Sequence, residues 1–148
     1  MSLDPFAEFR AQVASLQNEI AQLKKNNETV TSLAKNFYRR NLRGAELSGA
    51  DLSGAELSRA TLTGGATLRN ADLTGATLRN ADLSYADLTD ATLTGAILTF
   101  ANLTNADLTG ADLSYADLTD ATLHETIGTG ATLPTGYELD GNDYIVKT

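Results

Sequence analysis

Between residues 42 and 123 a leucine falls at every fifth position, with a single six-residue step, and seventeen successive slots are filled without a miss. Alanine stands two residues before nearly every one, from Ala45 and Ala50 through Ala66 and Ala71 to Ala121. A helix turns about 100° per residue, so residues five apart lie roughly 140° apart and the leucines would scatter around its surface. A flat strand alternates its faces with a period of two, so an odd step would send every second leucine outward. Only a chain that turns after each five-residue unit keeps all of them on one side.

The remaining slots agree with such a turn. Within a unit, alanine and the leucine two residues later point the same way, as in a short extended piece, and the residue between them points out. That outward slot is mostly Asp, Glu, Thr or Asn, and the slot after leucine is nearly always Ser, Thr or Arg. The next slot is rich in Gly, Asn and Asp, which tolerate corner geometry. The six-residue step at Gly64-Gly65 predicts one bulged corner that leaves the register otherwise intact.

At Ala50-Asp51-Leu52, Ala71-Asp72-Leu73, Ala81-Asp82-Leu83, Ala86-Asp87-Leu88, Ala101-Asn102-Leu103 and Ala106-Asp107-Leu108 the chain resembles the pentapeptide-repeat family, whose motif is A(D/N)LXX. The resemblance covers residues 42–125 and implies an all-β solenoid. This is a right-handed quadrilateral β-helix in which four units make one square coil of about twenty residues, stacked at roughly 4.8 Å. Leucine stacks on leucine and alanine on alanine along the axis, so no cavity of ordinary ligand size is expected inside, and no cofactor.

Composition narrows the function classes. The chain has 148 residues and no cysteine, so neither a disulfide framework nor a thiolate metal site is available. No apolar run is long enough for a membrane span, and the N-terminus lacks a basic-then-apolar layout, which predicts a cytoplasmic protein with no membrane partner. The net charge of −8 is unevenly placed. Residues 1–41 carry six Lys/Arg against four Asp/Glu (+2), and the remainder carries five against fifteen (−10). An acidic rod repels nucleic acid and attracts basic partners, so no direct nucleic-acid binding is expected; a plain solvated coat explains the same charge.

Residues 1–38 are written differently. Phe6, Phe9, Val13, Leu16, Ile20 and Leu23 recur at steps of three and four, which predicts an α-helix, and Asp4-Pro5 is a fitting start. As heptads, Val13 and Ile20 fall at a, Leu16 and Leu23 at d, and Asn27 takes the next a site, as in parallel two-stranded coils. Two roles follow. The helix either pairs with a second copy in a homodimer, or covers the open end of the rod, whose edge needs protection. The repeat region is placed at 39–127 and a closing segment at 128–148. In that segment Tyr137–Leu139 and Tyr144–Val146, separated by Asp140-Gly141-Asn142-Asp143, read as a hairpin. The run Leu133-Pro134-Thr135-Gly136-Tyr137-Glu138-Leu139 is similar to segments that follow the repeats in cyanobacterial members of the family.

No catalytic constellation is legible. His124 is the one histidine and falls in an outward slot, without a nucleophile or a metal-ligand partner. Asp82, Asp87 and Asp90 belong to different walls or corners and make no acid/base pair. The Ser and Thr columns are expected to hydrogen-bond across strands. Tyr85, Phe100 and Tyr115 occupy corner slots at three different corners. Ile97 takes an outward slot that is elsewhere usually acidic or Thr and shares a wall with Phe100, which makes this pair the candidate protein contact. The expected function is a non-catalytic interaction or scaffold protein whose partner is not legible in the residues. The alternative, drawn from the resemblance, is a DNA-mimicking gyrase or topoisomerase binder. Against it stand the shortness of the rod, leucine at every central position, and a column (Glu56, Thr77, Ile97, Asp117) in which acidic residues are interrupted.

Overall fold

The computed structural model describes residues 13–18 and 35–148. Each repeat unit contributes a very short extended piece centred on the residue before leucine, and these pieces pair in parallel with the pieces one coil away. Four outward columns result. The first face carries Asn36, Glu56, Thr77, Ile97 and Asp117, and the second Asn41, Thr61, Asp82, Asn102 and Thr122. The third carries Glu46, Thr67, Asp87, Asp107 and Ile127, and the fourth Asp51, Asp72, Thr92, Asp112 and Thr132. Stacking therefore begins at Asn36, before the 39–127 expected for the repeats, and continues to Thr132. Partners are 20 residues apart except where the loop between them includes the Gly64-Gly65 step, where they are 21 apart. The extra residue is absorbed at one corner and every later unit regains its face.

The backbone bonds are as regular as the text. On the fourth face the Leu52 amide donates to the Asp72 carbonyl at 2.7 Å, and the Asp72 amide donates back to Ala50 at 2.9 Å. At the corner the Ala55 amide donates to the Leu52 carbonyl three residues earlier at 2.9 Å. The residue two after leucine has positive φ at corner after corner, from Arg39 (56°) to Gly130 (70°), while the residue before it does not. An i→i+3 bond with positive φ at the third residue alone is a type II turn. Glycine serves it most cheaply, which accounts for Gly49, Gly54, Gly75 and Gly95.

The core is the axis. Leucines 52 through 113 in the column are 0–1 % exposed, and the alanines between them are buried with them. Phe37 occupies the leucine slot of the first level and is buried, so it closes the column at that end. Residues 13–18 are helical, Val13 and Leu16 pack against the core cluster, and the Gln17 side-chain amide donates to the Glu46 carbonyl. These two residues of the expected seam lie against the chain's own core. Ile20, Leu23 and Asn27 of the expected seam lie outside the described residues.

At the other end β1 (Tyr137–Leu139) and β2 (Ile145–Lys147) form an antiparallel hairpin, pairing Leu139 with Ile145. Gly128 stands where the next leucine belongs. The Gly128 amide donates to Asp143, the Ile145 amide donates to Thr126, and Ile145, 1 % exposed, fills the gap. A Cβ at Gly128 would meet Ile145 Cγ1 at 2.5 Å. The repeat thus lapses at Gly128 because the hairpin supplies the missing side chain. Thr126, fully buried in an alanine slot, satisfies its hydroxyl by donating to the Leu103 carbonyl at 2.9 Å.

Candidate interaction surface

With the axis filled, polar chemistry falls to the walls. Aspartate in the outward slot turns back onto its own corner: Asp72, Asp107 and Asp112 each accept the N–H two residues on at 2.9 Å, from Thr74, Thr109 and Ser114. Asn102 does the same for Thr104. These are Asx-type bonds, and they explain why Asp or Asn precedes leucine and Ser or Thr follows it. The Ser/Thr columns are therefore held chiefly within their own unit. The expected cross-strand bonding between hydroxyls is confined to contacts such as Ser48 with Thr67 at 3.3 Å. The same bonds stabilise the ionised carboxyl. Ser114 holds Asp112 below the usual carboxylate range, and Thr119 does so for Asp117.

On the first face this coat is interrupted. Ile97 lies half-buried between Thr77 and Asp117, and the Thr99 side chain beside it is buried beneath a hydrogen bond from Arg79 (3.0 Å). Phe100, at the corner that ends this wall on the same level, is 58 % exposed. Tyr115, at the corner that begins the wall one level on, is 88 % exposed. The structure thus brings Ile97 and Phe100 to one wall and adds Tyr115 at its opposite edge. Tyr85 (63 % exposed) lies between the second and third faces. Phe100, Tyr115 and Tyr85 have φ of 58°, 60° and 60°. Bulky residues rarely occupy that left-handed region, which costs roughly 1–2 kcal/mol for a residue with a Cβ. The signal was present in the sequence, since an aromatic in a Gly/Asn/Asp slot is out of place there.

Charge is segregated as well. The third and fourth faces and their shared corner carry Glu46, Asp51, Asp72, Asp87, Asp90, Asp107 and Asp112. Lys35 answers Asp51 at 2.8 Å, and Arg69 answers Asp87 at 3.0 Å. His124 is exposed, 3.8 Å from Glu125. Among the described residues no group of three or more His, Cys, Asp or Glu is arranged to hold a metal ion, and no helix is long and apolar enough to cross a membrane.

Four-sided coils, type II corners and a leucine–alanine axis define a β-solenoid repeat protein whose accessible chemistry is on its walls. The family described as pentapeptide repeats matches in eight copies over residues 36–64, 65–99 and 86–124, and the chain belongs to that family, whose members form right-handed β-helices. Among solved structures it is similar to a pentapeptide repeat protein of the Arabidopsis thaliana thylakoid lumen (37% identity, 60% of this chain and 65% of that one, TM-score 0.48). It is also similar to Rfr23 of the cyanobacterium Cyanothece (35% identity, 66% and 63%, TM-score 0.44). A third is HetL of the cyanobacterium Nostoc, involved in heterocyst differentiation regulation (31% identity, 67% and 72%, TM-score 0.28). The chain spans a little under two thirds of the length of the first two. Curated proteins gave no match.

Proposed function

We propose that this protein is a non-catalytic interaction or scaffold module that engages a protein partner through the walls of a rigid, largely acidic β-helix. The observation that carries the reading is the first face, where Ile97 replaces the usual polar residue and Phe100 and Tyr115 stand exposed at its edges in a costly backbone conformation. Strained, solvent-facing side chains persist where they serve a purpose, and aromatics dominate the energetics of protein contacts. Solenoids commonly use such extended surfaces to bind. Affinity purification with the wild type and with an Ile97→Asp/Phe100→Asp variant tests it. Both substitutions suit their slots, so the fold is retained and the captured partner set is lost. An unchanged partner set removes this face from the account.

The topoisomerase-binding alternative needs an unbroken acidic wall to imitate closely spaced phosphates. No face is unbroken: Thr77 and Ile97 separate Glu56 from Asp117 on the first, Thr67 separates Glu46 from Asp87 on the third, and Thr92 separates Asp72 from Asp112 on the fourth, so a gyrase supercoiling assay with stoichiometric protein is expected to run at full activity. Sedimentation of the full-length chain decides between the two roles of the N-terminal helix. Covering of the rod by Val13 and Leu16 leaves a monomer, whereas a homodimer would mean that the heptad seam is used between copies.

A further inference from the structure

The corner between the first and second faces is built unlike the other three. Its positive-φ residues, level by level, are Arg39, Arg59, Asn80, Phe100 and Asp120, and none is glycine. Each of the other corners has glycine at two or more levels, as at Gly44 and Gly64, Gly49 and Gly110, or Gly54, Gly75 and Gly95. A conformation that glycine adopts freely is here held by side chains that pay for it with strain. Three of the five levels bring an arginine to this edge. Arg39 and Arg59 stand in the corner itself, with Arg40 beside the first, exposed in a slot that alanine fills elsewhere. Arg79 occupies the turn position just before Asn80. None of these four makes an ion pair with another described residue, in contrast to Lys35 and Arg69 on the acidic side. On the adjoining walls Glu56 accepts the Ser58 N–H at 2.8 Å and Asp82 accepts the Ser84 N–H and the Asn102 amide, while Arg79 donates to the Thr99 hydroxyl at 3.0 Å and Asp120 stands at the far end of the same edge. In a four-sided coil this edge lies diagonally across from the one shared by the acidic third and fourth faces. The net charge of −8 therefore conceals a polarised cross-section.

We infer that this arginine-bearing edge, continued by Phe100, is a binding site for an acidic, extended protein segment. The inference rests on the reading of the protein as an interaction module and gives its partner a chemistry. Guanidinium forks recognise carboxylates in bidentate fashion. Successive levels set them at about the 4.8 Å coil spacing, so Arg39 to Arg79 spans roughly 10 Å, the reach of three or four extended residues. Phe100, one level beyond Arg79 on the same edge, offers an apolar contact to the same segment. Nucleic acid is the less fitting polyanion. Phosphate affinity grows with the number of phosphates neutralised, this edge offers few cations, and a duplex would lie against the carboxylates of the neighbouring walls.

An octaglutamate peptide labelled for fluorescence anisotropy is the probe, with an oligothymidylate of the same charge as the competing one. The peptide is expected to bind at about 50 mM salt and to release by about 300 mM, as a screened charge contact does. An Arg39→Asn/Arg59→Asn variant should weaken binding roughly tenfold. Because asparagine tolerates positive φ, its melting temperature should hold or rise, which separates lost contact from lost fold. Arg69→Gln, on the acidic side, should leave peptide affinity unchanged. The inference is overturned if the peptide does not bind, if Arg69→Gln weakens it as much as the corner pair does, or if oligothymidylate binds more tightly. Partner capture that still depends on Ile97 alongside failed peptide binding would sink this inference while leaving the interaction-module reading in place.

Discussion

At the level of single residues, the repeat is a hydrogen-bonding grammar as much as a hydrophobic one. Leucine and alanine fill the axis, but the corner closes because an Asp or Asn oxygen receives the N–H two residues later, as Asp87 does from Thr89 at 3.0 Å. Positions that depart from this grammar are the informative ones. Replacing Phe100 by glycine relieves about 1–2 kcal/mol of left-handed strain, offset by glycine's extra freedom in the unfolded chain of about 0.5–1 kcal/mol. The variant should therefore melt slightly higher than the wild type, by calorimetry, although it loses an exposed aromatic. A lower melting temperature would mean that Phe100 is a packing residue. Asp51 supplies a pH signature. The hydrogen bond from Lys35, with a second from Ser53, brings its carboxyl from 3.8 down to about 2. The folded value lies below the unfolded one, so this contribution is complete above pH 3.8 and disappears as the pH falls towards 2. A Lys35→Met variant should thus lose less stability than the wild type over that window, read from melting curves.

At the level of the element, a unit has no stability of its own and draws it from the levels above and below. Leu83, fully buried in mid-column, should cost about 2–5 kcal/mol on truncation to alanine, because leucines stacked on both sides prevent collapse into the hole. Ile145→Ala is predicted to cost a similar amount, and its effect should be local. It uncovers the space above Gly128, and limited proteolysis should then cut within 134–148 while the repeats stay intact. Intact hairpins under those conditions would contradict the account of the lapse at Gly128. Most of the repeat architecture was legible because each five-residue unit states its own geometry: the inward pair, the outward carboxylate, the permissive corner. The Gly64-Gly65 step could be read for the same reason. The exchange of Ile145 for a leucine at Gly128 could not, since it joins residues whose pairing no local spacing encodes. Nor could the packing of Val13 and Leu16 on the rod, because a heptad stripe looks the same whether it faces a second copy or the chain's own core. The in-unit bonds of Ser and Thr are not legible either, because hydroxyl columns suggest cross-strand contacts, which Ser48 and Thr94 do make, whereas the backbone N–H of the same residues bonds within its own unit.

At the level of the whole molecule, the protein divides its labour cleanly. The axis is uniform hydrocarbon and carries the fold; the four walls share a frame and differ only in what they display. One edge gathers arginines and an aromatic, the diagonally opposite one gathers carboxylates, and the Ile97 wall breaks the polar coat. On the proposed reading, partner choice is a matter of which wall is read. This depends on the column being continuous and well packed through its middle levels, so that walls hold fixed positions. Native-state hydrogen exchange, resolved by residue, measures that directly. The amides of Leu62 through Leu108, each bonded to the next coil, should share one high protection limit set by global unfolding, with β1 and β2 exchanging sooner through local opening. Fast exchange at the central leucines, or protection that differs from wall to wall, would contradict a single filled axis and with it the account of function built on rigid walls.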